Sequence, residues 1–211
     1  MYKSLYHNNR FHCISSIPEK ANTQKQKGEW ERLLCGGCEQ HISKYERYAS
    51  LLLMGGAEIS VKSGDKVIEV SGIDYRLFKL FQLSILWRAS ISSRSIFRDV
   101  SLGKHEDIIR IMLLNNEPGE SYQYGCIMFA TMHKGKHIDS LIIQPELKRI
   151  DGQVGYRFVF GGFWWLYFCS SHKPNKKILD VFLQKHGIGF IFLKELGSAD
   201  HIVQFAVEAN I

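Results

Sequence analysis

Apolar positions recur at helical spacing through the first half of the chain and at strand spacing through the second. Over residues 39–53, Ile42, Tyr45, Ala49 and Leu52 fall three and four apart, which predicts a helix with one buried stripe. Gly55-Gly56 supplies its end. Residues 57–62 alternate apolar and polar, a turn follows at Ser63-Gly64-Asp65, and Val67-Ile68-Glu69-Val70 completes a β-hairpin. Asp74 is placed to cap a second helix reaching to about residue 90. Phe78, Phe81, Ile85 and Ala89 form its stripe, and Leu77, Leu80, Leu83 and Leu86 widen it until most of the circumference is apolar. Such a helix belongs in the centre of a fold. A third helix, about 104–115, turns Ile108, Ile109, Met112 and Leu113 inward and is closed by Asn115-Asn116, with Pro118 just beyond.

After Gly119 the period changes to that of strands, expected at 122–132, 137–143, 146–150, 154–160 and 163–170. Gly161-Gly162 marks a bulge or tight bend, and a short helix at 176–185 and a strand at 189–194 close the pattern. The expected class is α+β: a small N-terminal Cys-x-x-Cys knuckle leads into a helix, a β-hairpin, two further helices and a β-rich, mainly antiparallel C-terminal portion. The expected division places a knuckle module in residues 1–56 and an α+β domain in residues 57–211.

Composition narrows the partners. With 45% hydrophobic and 23% charged residues the 211-residue chain has the make-up of a globular protein with a core. The net charge of +6 admits an anionic partner, but the basic surplus divides between residues 1–50 and 121–211 and forms no block. The longest unbroken apolar stretch, 161–169, is far shorter than the roughly 18–20 residues that span a bilayer. The N-terminus shows no apolar signal region, so the expected setting is a reducing cytoplasm with free or metal-bound thiols.

The sharpest chemistry lies in Cys35-Gly36-Gly37-Cys38, a tight turn that passes directly into the first helix. Two thiolates at this spacing can ligate one Zn²⁺, and tetrahedral coordination then needs two more ligands. Candidates are His7, His12, Cys13 and His41. The competing reading is half of a site whose thiols stay reduced and metal-free.

The run Leu33-Leu34-Cys35-Gly36-Gly37-Cys38-Glu39, followed by Ser43-Lys44-Tyr45-Glu46-Arg47-Tyr48-Ala49, resembles a family of bacterial proteins related to HNH-type, treble-clef zinc modules. The likeness extends through Leu83-Ser84-Ile85-Leu86-Trp87-Arg88. Members carry an earlier Cys-x-x-Cys and a Ser-His-x-Ile-Pro element; here Ser15-Ser16-Ile17-Pro18 stands nearest, with serine in place of the histidine. The resemblance implies a structural zinc, a DNA or RNA partner, a place in bacterial defence and, were the chain an enzyme, metal-dependent nuclease chemistry. HNH hydrolysis needs a histidine to activate water and a divalent ion on the scissile phosphate. The departure at Ser16 leaves no catalytic residue assigned.

Glu39 and Glu46, seven apart on one helix face, could stand behind the metal ligands, or pair with neighbouring basic residues at the surface. Arg88 beside Trp87 could bind phosphate, or neutralise a buried carboxylate. Lys134 and Lys136 form a short basic loop suited to phosphate contact, or merely a hairpin tip. The aromatic run 163–168 could stack on bases, or be a central strand buried on both faces. A non-enzymatic module for protein contact or self-association, with a vestigial knuckle, is the alternative to the nucleic-acid reading.

Overall fold

Asp74 starts the most buried element of the fold. In the computed structural model, which describes residues 31–139 and 141–196 in full and only the backbone of residues 11–14 and 23–25, its side chain accepts a hydrogen bond from the Leu77 N–H at 2.9 Å. The helix it caps, α2 (Tyr75–Ile91), buries ten of its 17 residues. Replacing Asp74 by alanine removes that cap and should cost about 1 kcal/mol. A fall of a few degrees in Tm, measured by calorimetry, is the expected result; an unchanged Tm would show that α2 does not depend on its cap.

Before α2 comes α1 (Gly36–Leu53), and after it α3 (His105–Asn115) and a short α4 (Lys176–Leu179). The stripe Ile42, Tyr45, Ala49 and Leu52 is buried as the spacing requires. Asn116 ends α3 in the left-handed conformation, φ 58°, which asparagine tolerates better than most residues.

The strands among the described residues are β1 (Phe11–Ile14), β2 (Thr23–Lys25), β3 (Ser60–Ser63), β4 (Val67–Ser71), β5 (Cys126–His133), β6 (Lys136–His137), β7 (Leu141–Ile150), β8 (Gln153–Phe160), β9 (Phe163–Phe168) and β10 (Ile188–Glu195). They form one sheet in the order β2-β1-β7-β8-β9-β5-β10-β4-β3, with β6 paired only to β5. Pairing is antiparallel except at two joints: β1 runs parallel to β7, and β10 parallel to β5. The fold is α+β, with the helices mainly first and a mixed, mostly antiparallel sheet supplied largely by the second half.

Alternation along β9 buries it on both sides. Trp165 and Tyr167 face α1 and α2 in the main core, together with Cys126, Met128, Tyr156 and Phe158. Trp164 joins Leu141, Ile143 and Val159 in a second cluster, and Phe168 meets Phe182 in a third. This strand lies between β8 and β5, so its rings are core and not a stacking platform. Because Ile42, Tyr45, Ala49 and Leu52 lie in the same cluster as α2 and the sheet, α1 and the segments after residue 56 share one core.

Several boundaries differ from expectation, each for a local reason. Of the strand expected at 137–143, His137 ends β6 while Leu141–Ile143 run on through 146–150 as one strand, β7, with a register shift between Ile143 and Glu146. Pro145, which has no N–H for the ladder, lies within that shift. The tight bend expected at Gly161-Gly162 is present: at φ 62° and 82° they are the two central residues of the β8–β9 hairpin, a turn that demands positive φ at both. The helix expected at 176–185 stops at Leu179. Beyond it Phe182 packs on Phe168, while the adjacent Leu183 enters the main core. Gly125 makes room for that packing, since a Cβ there would fall 2.2 Å from the Phe182 ring.

A candidate thiol site at the start of the first helix

The approach to α1 is tied down by Glu31. Its carboxylate accepts from the Ser92 hydroxyl at 2.6 Å, from the Ser93 N–H at 3.1 Å and from the Ser93 hydroxyl. These bonds hold the Glu31 carboxyl below the usual carboxylate range. Leu34 packs against the core, and Cys35 then takes the N-cap position in extended conformation, its carbonyl accepting from Glu39 N–H at 2.9 Å. Gly36 and Gly37 have open space where a Cβ would sit, so no side chain comes between the two cysteines.

Cys35 is exposed and Cys38 half-buried, and neither is in a disulfide. The nearby Cys38 backbone N–H, and then the Cys38 thiol, favour a thiolate at Cys35 and lower its pKa below that of an ordinary cysteine, although the Cys35 side chain makes no cap hydrogen bond. Facing that sulfur raises the Cys38 pKa. Free N–H groups at a helix start favour an anion for the same electrostatic reason. The pair is therefore an accessible thiolate–thiol couple, suited to ligating a soft or borderline cation or to thiol chemistry.

The other candidates are distributed differently. His41 turns Nε2 to the Leu113 carbonyl at 2.8 Å, with the Tyr45 hydroxyl 3.0 Å from the same nitrogen. Tyr45 also donates to Asn116 Oδ1 at 2.6 Å, and Lys44 reaches that oxygen at 2.5 Å. His41 thus belongs to a polar latch between α1 and the end of α3. His12 and Cys13 lie in β1, in register with Leu141 and Ile142; their side chains are outside the described residues. Among the described residues no three His, Cys, Asp or Glu side chains come together as a metal cluster.

Glu39 is exposed in the first turn of α1. Glu46 pairs with Arg88, Oε1 to Nη2 at 2.7 Å, with the two side chains 30% and 24% exposed. The phosphate-contact and metal-support candidates of the sequence therefore meet each other across α1 and α2. Lys134 and Lys136 are exposed at the β5–β6 tip, where the Gly135 N–H donates to Glu195 Oε1 at 3.2 Å. That carboxylate offsets part of their charge toward an anion.

Sequence reasoning passed over two interior polar residues on α2, Lys79 and Gln82, each 1% exposed. The Lys79 ammonium group donates to the Tyr124 carbonyl at 2.8 Å, and burial lowers its pKa to about 7. A signal was present: on a helix apolar around most of its girth, a lysine and a glutamine have no polar face to occupy.

Comparison with protein-family models, with curated proteins and with solved structures finds no match to this chain. Fold and site together define an α+β chain with a free cysteine pair, one exposed and one half-buried, at the start of a core-packed helix.

Proposed function

We propose that Cys35 and Cys38 hold a structural zinc ion and that the chain is a zinc-knuckle module for contact with nucleic acid. The observation that carries the reading is the accessible pair itself, with one sulfur biased toward thiolate by the helix start. Two further ligands are needed, and His12 and Cys13 are the candidates. Topology supports them: Glu31 bonds Ser92 and Ser93, the segment after these serines touches β7, Asp99 meets Gln144, and β7 pairs with β1. The net charge of +6 and the lysines at the β5–β6 tip favour an anionic partner. No catalytic residue is assigned.

One observation favours a second reading, self-association. The described residues supply two sulfur ligands, one exposed and one half-buried, and two copies would supply the four that a tetrahedral site requires.

Elemental mass spectrometry of the purified chain, with thiol titration, separates these readings. About one zinc per chain, with both thiols protected, supports ligands within the chain; about half a zinc supports a site shared between two copies. Zinc-free protein with both thiols reactive would sink both. Cys35→Ser should release the metal and lower Tm. A mobility shift of labelled DNA or RNA that fades as salt rises is the expected mark of phosphate contact; binding that ignores salt, or none at all, removes the nucleic-acid partner.

A further inference from the structure

Apart from any metal, Cys35 and Cys38 have the placement that a dithiol couple needs. They stand three positions apart, Cys35 at the N-cap of α1 and Cys38 in its first turn. Side chains at that spacing on a helix have Cβ atoms about 5–6 Å apart, whereas a disulfide needs about 3.5–4.5 Å. The gap is small and falls on Cys35, which is extended at φ −73° and ψ 162° and is not held by a cap hydrogen bond. A rotation there brings the sulfurs together with α1 intact. Gly36 and Gly37 put no side chain in the way, and the Cys38 thiol already faces the Cys35 sulfur.

Exposure sets the order in which the two would react. Cys35 is exposed and meets an incoming disulfide first, while Cys38 is half-buried and reaches its neighbour more readily than anything in solvent. Cys126 and Cys169 lie in the core at 4% and 8% exposed. Among the described residues, then, the pair on α1 holds the cysteines open to exchange, which depends on access as well as on the sulfur itself.

We propose that Cys35 and Cys38 exchange with small organic disulfides, Cys35 as the attacking sulfur and Cys38 as the resolving one. The Cys35 sulfur attacks a disulfide R–S–S–R, the S–S bond breaks, one RS⁻ leaves with its electron pair, and Cys35 is held in a mixed disulfide. Cys38 then attacks the Cys35 sulfur, the Cys35–Cys38 bond forms, and the second RS⁻ leaves. The two cysteine protons pass through water to the two leaving thiolates. The pair is thereby oxidised by two electrons, and one disulfide is reduced to two thiols. This activity rests on the pair and not on the zinc reading: a bound zinc would occupy both sulfurs, so exchange belongs to the zinc-free chain.

Zinc is counted on the full chain first, so that the metal reading is judged separately. A chelator then strips the metal, and the chain is titrated with mixtures of oxidised and reduced glutathione, read by intact mass and peptide mapping. The native chain should lose two hydrogens, with the new bond mapped to Cys35–Cys38, and excess reduced glutathione should restore both thiols. Cys38→Ser should instead accumulate glutathione joined to Cys35, and Cys35→Ser should leave Cys38 unmodified over the same time. Cys38 of Cys35→Ser reacting as fast as Cys35 of Cys38→Ser would overturn the order of attack. A lasting mixed disulfide on the native chain, a bond from Cys35 to Cys13, or thiols that stay reduced throughout would overturn the couple, whatever the zinc count.

Discussion

Truncating Trp165 to alanine should bring the protein close to unfolding at ordinary temperature. The side chain has no exposed surface and is among the largest fully buried groups in the fold. Its ring stacks on Phe160 at 5.2 Å between centroids, meets Phe81 and Phe163 edge-on at 5.9 Å, and lies 6.2 Å from Phe78. Its indole N–H donates to the Phe160 carbonyl at 3.3 Å. Phe78 and Phe81 belong to α2 and the other partners to β8 and β9, so this one residue joins the helical layer to the sheet. Loss of a buried tryptophan costs about 3–5 kcal/mol, against a total stability of about 5–15 kcal/mol for a typical domain. Urea unfolding followed by far-UV circular dichroism should show a much lower midpoint, or aggregated protein. A midpoint within the scatter of the parent would mean that the interior closes over the gap, against the packing described.

Raising the pH from 7 to about 8.5 should stabilise the native protein, and the gain should vanish in Lys79→Met. Burial lowers the Lys79 pKa from the ordinary 10.5 to about 7. Over that interval the unfolded chain binds the lysine proton more strongly than the folded one, so each step up in pH favours folding. At the steepest the slope approaches roughly 1 kcal/mol per pH unit. Above that window other groups oppose it. Cys126 and Cys169 are raised by burial, Cys169 to about 12, and unfolding lets them ionise from about pH 9. In Lys79→Met the ammonium's desolvation penalty is gone, although the Tyr124 carbonyl loses its donor. The variant should therefore be more stable than the parent at pH 7 and nearly flat to pH 8.5. Parallel urea midpoints for the two proteins across that range would show that Lys79 stays charged in the fold.

The elements were legible wherever one face alone had to be buried. The change of period after Gly119, the cap at Asp74 and the turn at Gly161-Gly162 are all local signals, and each appears where its spacing requires. The arrangement of the sheet was not legible, because β10 inserts between β4 and β5 and nothing within those three strands records the pairing. The candidate site divides in the same way. Cys35 and Cys38, three positions apart, meet because of the turn they occupy. Glu46 and Arg88, 42 positions apart, meet because two helices pack, and of the two roles open to Arg88 in the sequence that contact fills the one of carboxylate partner. Lys79 and the Tyr124 carbonyl, 45 positions apart, meet for the same non-local reason. Only the inconsistency of polar residues on an apolar helix pointed toward that contact.

The place of β10 also sets the order in which the molecule can be completed. It joins β4, 117 to 125 positions earlier in its register, to β5, 63 positions earlier. Such distant pairings slow folding, because loop entropy is lost before the contacts form. During synthesis the β3–β4 hairpin must wait for β10 before it has a neighbour other than itself, and β5 meanwhile presents an open edge. An unpaired edge on an unfinished sheet is where a nascent chain pairs wrongly with another copy. Translation past Glu195, more than any single side chain, is the event that closes this hazard.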